Sequence, residues 1–286
     1  MSNVVRLVAL AAIWGAAFIF IRVVAPVLGP IWTTEGRLLI GAAVLLAWFR
    51  VARFDPQWRH LRFYAFIGVL GTAIPFCLFG FAGMHISGSM MAILNTSAPM
   101  FALVIGALVG LERISAAKCL GLLLGMAGVW LLTSPVADSG PLFYWAVVAS
   151  LCASMAYALA SLAIRRWGRD IPARGMALGA QVCAALALVP LLAAWTPAAE
   201  PSPLVLGNLL ALGLLGSAIA YVLFFRLVAD IGATRAQTVS LLIPVFGMLW
   251  GYLFLDESLT WHALGASALI IAGTFLVMRG PPTSAG

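Results

Sequence analysis

Asn95-Thr96-Ser97-Ala98-Pro99 sits at the centre of an apolar stretch running from Gly68 to Leu132. The stretch from Gly213 to Val277, centred on Ser240-Leu241-Leu242-Ile243-Pro244, repeats it without a gap at an offset of 244 − 99 = 145. Gly68 falls on Gly213, Gly71 on Gly216, Phe79 on Phe224, Pro99 on Pro244, Gly106 on Gly251, Glu112 on Glu257 and Gly128 on Gly273. Glycine, proline and glutamate each have special backbone or solvation demands inside an apolar helix, so their agreement at one offset marks an internal duplication. A weaker echo joins the start of each half, Trp14-Gly15 through Ile21-Arg22 against Tyr157-Ala158 through Ile164-Arg165, at an offset of 143.

Outward from these stretches the chain is apolar almost throughout. Of its 286 residues 64% are hydrophobic and 9% charged, with a mean hydropathy of +1.10. A soluble domain carries about a quarter charged residues, so this composition cannot cover a water-facing surface and specifies an integral membrane protein. The first apolar run starts almost at once and lacks a small-residue cleavage site, which argues against a cleavable signal peptide. Runs of about 20 residues, enough to cross a bilayer at ~1.5 Å per residue, fall at 4–25, 31–50, 61–84, 87–111, 116–134, 142–165, 174–196, 204–228, 233–255 and 261–279. The sequence therefore predicts an all-α membrane fold of ten helices. The first repeat occupies 1–136, the second 137–280, and a disordered tail 281–286. Prolines such as Pro26, Pro30, Pro135 and Pro203 lie between runs, where helices are expected to stop.

The net charge of +7 is no nucleic-acid footprint, because the basic residues sit between spans. Arg6, Arg50, Arg53, Arg59, Arg62, Arg113, Lys118, Arg165, Arg166, Arg169, Arg174, Arg235 and Arg279 all fall on one side if both termini are cytoplasmic. The alternate connections are marked by His85, Asp138, Glu200, Asp256 and Glu257. Five spans per half is an odd number, so the second half enters from the opposite side and the repeats are inverted, an arrangement used by many secondary transporters.

Candidate functional residues follow from what a bilayer penalises. Pro99 and Pro244 cannot donate to the carbonyls of Asn95 and Ser240, which leaves an acceptor in a medium without water. They are expected to act as helix kinks and gating points near the midplane. Asn95 shares a stripe with Pro99, and Gln237 and Ser240 share one with Pro244. Trp14, Tyr157 and Tyr221 lie mid-helix, and a buried Trp or Tyr needs a partner for its polar atom. With Phe79 and Phe224 they complete the expected substrate-binding set: Trp14, Phe79, Asn95, Tyr157, Tyr221, Phe224, Gln237 and Ser240. Such a lining suits a neutral or zwitterionic, partly apolar solute. Glu35 and Arg37 lie near the outer end of the second run and, two apart, do not share a face. Glu35 is the one candidate for ion coupling, since proton-driven carriers use an acid within a span.

Cys77, Cys119, Cys152 and Cys183 show no metal or disulfide spacing and read as small buried hydrophobes. No metal and no cofactor is expected. The sequence holds no HExxH, GxSxG, P-loop or GxGxxG motif, so a membrane-embedded enzyme is the weaker reading.

Several features together carry a family resemblance. They are Trp14-Gly15 with Arg22 ending the first run, Arg37 early in the second, the Pro99…Glu112 and Pro244…Glu257 pairs, and glycine-rich fifth and tenth runs (Gly121, Gly125, Gly128; Gly265, Gly273). In these the chain resembles the drug/metabolite transporter superfamily, EamA type, and within it amino-acid exporters of the YddG kind. The resemblance implies ten helices around a central cavity, with the fifth and tenth peripheral. It implies export of small metabolites, aromatic or apolar amino acids foremost, across the inner membrane by alternating access. A broad drug or nucleobase exporter is the alternative. The expected partners are a small-molecule substrate and the bilayer, with the protein a monomer or homodimer.

Overall fold

In the computed structural model, residues 2–134 and 140–278 are described. The expected helix stop at Pro135, the connection marker Asp138, the repeat boundary at 136/137, Arg279 and the tail 281–286 lie outside the described residues. The described chain is helical, with no strand. Among the described residues nine helical stretches of more than ten residues follow one another: α1 (Asn3–Val51), α2 (Trp58–Gly83), α3 (Gly88–Leu108), α4 (Ala116–Leu132), α5 (Phe143–Trp167), α6 (Ala173–Leu192), α7 (Pro203–Ile231), α8 (Val239–Leu255) and α9 (Trp261–Met278). Seven of them are long and apolar enough to cross a membrane, and α4 and α8 are shorter apolar helices. In a bilayer this is the expected solution, because a helix satisfies its own backbone polar groups.

α1 is two helices in one. At Gly29 the backbone turns to φ 76° and ψ 172°, a conformation that suits only glycine without strain. Here the structure corrects a detail of the sequence reading: the first helix does not stop at Pro26 but runs through it, and the break falls three residues later. Trp195 packs so closely against Gly29 that any side chain there would collide with its indole ring.

Two further irregularities share the register of the duplication. A π-helical turn spans Val69–Ala73 in α2, and another spans Leu214–Ile219 in α7. Their starts are 145 residues apart. A π-turn widens the helix and frees a carbonyl from its usual partner, which is why such turns gather at functional places. Gly71 and Gly216 sit within these turns.

α1 packs against α2, α6, α7 and α8, while α4 and α9 pack on each other. The α4–α9 seam is made of small residues. A Cβ on Gly121 would come within 2.6 Å of the Gly273 carbonyl, and one on Gly128 within 2.9 Å of the Ala266 carbonyl. Backbones can approach this closely only where side chains are missing.

Candidate functional site

The aromatic residues of the expected site come together in two pairs. Trp14 packs on Phe224 with ring centroids 5.5 Å apart, and Phe79 stacks on Tyr157 at 6.3 Å. Each pair takes one ring from either half. Under the sequence offsets Trp14 corresponds to Tyr157 and Phe79 to Phe224, so the two pairs are the same contact with the halves exchanged. The same exchange holds for the backbone. A Cβ on Gly71 would meet Ala160, and one on Gly216 would meet Ala17; Gly68 abuts the Ala180 backbone, and Gly213 the Arg37 carbonyl.

Close to Tyr157 lies a group that the sequence placed near the outer end of the second run without a role. Arg37 does not sit idle near a helix end. It is buried (7% exposed) and crosses to the π-turn of α7. Its Nε donates to Ser217 Oγ at 2.9 Å and its Nη2 to the Gly216 carbonyl at 3.3 Å. That carbonyl belongs to the π-turn itself. The guanidinium lies over the Phe76 ring, 3.7 Å from its centroid, a favourable cation–π contact. Tyr157 and Tyr221 are close enough to interact with it electrostatically. Both tyrosines are half-buried.

Gln181 joins the same cluster. Its side chain is 1% exposed, and among the described residues neither amide atom has a hydrogen-bond partner. Gly41, one turn beyond Arg37, makes room for it: a Cβ there would collide with Gln181 Oε1 and come within 2.8 Å of Ser217 Cβ. A glutamine or arginine within an apolar run is costly and is a functional signal by default. That signal was present in the sequence for Gln181; what it could not supply was the face on which the side chain lies.

Glu35 is also 1% exposed, and among the described residues both carboxylate oxygens lack a hydrogen-bond partner. Cys77 is its neighbour.

The two proline regions differ. In α3 the helix breaks at Thr96–Ser97, and Pro99 stands at the start of the segment Ala98–Leu108. Hydroxyls serve the carbonyls around this break: Ser97 and Ser154 donate to the Leu94 carbonyl, and Thr274 donates to that of Thr96 at 2.9 Å. Asn95 is half-buried at this break. Pro244 lies inside the continuous helix α8, and the chain turns earlier, at Gln237–Thr238. Gln237 is exposed, and Ser240 Oγ donates to its carbonyl at 2.9 Å. No hydrogen bond among the described residues ties Gln237 or Ser240 to the Arg37 cluster.

The two repeat-related glutamates fold back in the same way and then reach different partners. The N–H groups of Glu112 and Glu257 donate to the Gly106 and Gly251 carbonyls at 3.0 and 3.1 Å. The Glu257 carboxylate accepts from the N–H groups of Gly88 (2.7 Å) and Ser89 (3.0 Å) and from the Ser89 hydroxyl, at the start of α3. The Glu112 carboxylate accepts instead from Lys118 at 2.9 Å and from Arg165.

Residues 2–134 and 144–279 match the EamA-like transporter family. The chain belongs to that family. Among its relatives, an uncharacterised inner-membrane transporter of Escherichia coli, YedA, is 27% identical over 290 residues, 96% of this chain and 92% of its own. A probable terminal-alkyne amino-acid exporter of Streptantibioticus cattleyicolor is 26% identical over 273 residues, 93% and 90% of the two chains. An uncharacterised transporter of Archaeoglobus fulgidus is 23% identical over 270 residues, 93% and 95% of the two. One crystal structure matches with a TM-score of 0.67 at 19% identity, over 96% of each chain; at that identity the likeness concerns the fold alone. As an EamA-like transporter, the protein is a multi-pass membrane protein with a small-molecule substrate.

Proposed function

We propose that the protein is a secondary transporter that exports small metabolites, amino acids with aromatic or apolar side chains foremost, by alternating access across the inner membrane. The observation that carries this reading is the exchanged pair of aromatic contacts, Trp14–Phe224 and Phe79–Tyr157. Contacts that recur with the halves exchanged are what a twofold axis between two oppositely inserted repeats produces. Counting α1 as two crossings on either side of Gly29 gives ten spans, five in each repeat, 1–136 and 137–280. Both termini then face the cytoplasm with the basic connections.

The two glutamates support the alternation. Glu257 is docked on the first turn of α3, whereas Glu112, its repeat partner, is held by Lys118 and Arg165. Equivalent groups in different contacts give the two membrane faces different shapes, and a rocking carrier exchanges those shapes as it works. The aromatic rings, with Arg37 close to Tyr157 and Tyr221 and Asn95 at the break in α3, suit a solute with one apolar face and a few polar atoms. Pro99 and Pro244 serve as the flexing points, and Glu35 is the site for a coupling proton. The terminal-alkyne amino-acid exporter among the relatives favours an amino acid over a drug or nucleobase.

The test is counterflow in proteoliposomes across amino acids, nucleobases and amphipathic cations. Uptake should be greatest for aromatic and branched amino acids, and Tyr221→Ala or Asn95→Ala should reduce it at least tenfold with folding intact. Flux of nucleobases or cations alone, or unchanged flux in both variants, would remove the reading.

A further inference from the structure

We propose that Arg37 is the anion-recognising group of the transport site and receives the carboxylate of the solute, with Gln181 as a second donor. This rests on the transporter reading and names the chemical class of its substrate: small organic acids, amino acids included.

The guanidinium is buried and carries a full charge. Its partners are neutral: the Ser217 hydroxyl, the Gly216 carbonyl and the Phe76 ring. Among the described residues it forms no salt bridge; the three there join Arg6 to Asp230, and Lys118 and Arg165 to Glu112. A buried cation without an anion is unfavourable unless something supplies one. Arg37 holds the protein with one edge of its fork, Nε and Nη2. Among the described residues Nη1 has no hydrogen bond, and a guanidinium can offer such a second edge to a carboxylate.

A purely structural role does not account for this cation. Gly213 abuts Arg37 as Gly68 abuts Ala180, so Ala180 holds the matching place in the second half. There α6 packs on the π-turn of α2 with an alanine and no charge at this place. The fold thus tolerates an alanine at this position, and the arginine is the element that breaks the exchange symmetry. The unsatisfied Gln181 amide beside Ser217 is the independent second observation. It is a buried donor group with nothing to donate to, a state that natural proteins rarely keep without a use.

The experiment uses the purified full chain and two acid–amide pairs, L-phenylalanine against L-phenylalaninamide and L-leucine against L-leucinamide. Thermal stabilisation in detergent and counterflow in liposomes are read for each. The acids should raise the melting temperature and exchange at least about tenfold better than the amides, because each amide lacks the charge the site is built to meet. Arg37→Gln should remove that preference, and Arg37→Lys should retain part of it. The wild-type comparison needs no variant, so a misfolded Arg37→Gln protein leaves the test intact. Equal behaviour of acid and amide in the wild type, absence of any effect included, overturns the proposal. So does an Arg37→Gln protein that still prefers the acids. Stabilisation by the acids without any flux would sink the transport reading and leave the anion site standing. Flux that ignores the carboxylate would do the reverse.

Discussion

Glu257 accepts the backbone N–H of Gly88 at 2.7 Å, so a carboxylate from one repeat caps a helix that belongs to the other. The first turn of a helix has unpaired N–H groups and a partial positive charge, and a carboxylate there is stabilising by up to about 2 kcal/mol when partly buried. Gly251 leaves the space: a Cβ on it would come within 3.0 Å of Glu257 Cδ. Glu257→Gln keeps the shape and loses the charge. It should lower the melting temperature by a few degrees. It should also speed maleimide labelling of Ile86→Cys, now 3% exposed, in a background without the native cysteines. Labelling at the wild-type rate would mean that the cap holds nothing shut.

Glu112 meets its charge partners outside the apolar spans, and that makes its contribution depend on pH. Burial pushes its carboxyl up, and the hydrogen bonds and charges of Lys118 and Arg165 more than offset this, holding it below the ordinary value of 4.5. A carboxylate whose pKa is lower in the folded than in the unfolded chain stabilises fully above the unfolded value. That stability is lost as the pH falls through the folded one. Near neutral pH, Glu112→Gln should therefore be less stable than wild type by about 1 kcal/mol, discounted for partial exposure. The two melting curves should converge as the pH is lowered through the acid range, below the ordinary carboxyl value. A constant gap across that range would assign the effect to packing.

The glycines of the repeat make a graded test of helix approach. Gly68 presses on the Ala180 backbone, with Ala184 N only 3.2 Å from where a Cβ would stand, whereas a Cβ on Gly207 meets nothing within 4 Å. Backbone cannot move aside as a side-chain end can, so Gly68→Ala should destabilise by about 1–3 kcal/mol. Gly207→Ala, mid-helix and open, should stabilise by about 0.5–1 kcal/mol. Equal effects of the two in a denaturation series would refute the packing described for α2 and α6.

Much of this arrangement was legible before any coordinates. The 145-residue register that aligned Gly71 with Gly216 also aligns the two π-turns, and the pairing of Trp14 with Tyr157 and of Phe79 with Phe224 anticipated which rings would be equivalent. Depth in an apolar run was legible too, but direction was not. Arg37 and Gln181 stand in runs where nearly every neighbour is apolar, so periodicity gives no face to assign them, and the contact with Ser217 spans 180 positions. The prolines left the position of the break open for a related reason. Pro99 and Pro244 match in register, but a proline states only which N–H is missing. Where the helix gives way depends on what can serve the freed carbonyls. In α3 that service comes from Ser97, Ser154 and Thr274; in the second half the turn moves to Gln237–Thr238.

Glu35 poses the sharpest question about coupling. Glu35 is 1% exposed, and among the described residues neither carboxylate oxygen has a hydrogen-bond partner, so a charge there would go uncompensated by hydrogen bonds. Glutamine has the same shape and no charge to bury, so Glu35→Gln should melt no lower than wild type in neutral buffer. If Glu35 carries the coupling proton, the same variant should lose the dependence of uptake on an imposed pH gradient while keeping counterflow, which needs no net driving force. Wild-type vesicles whose uptake ignores the gradient would show that the carrier equilibrates its solute without protons and that Glu35 has no part in coupling. A variant that keeps a gradient response present in the wild type would place the proton on another residue.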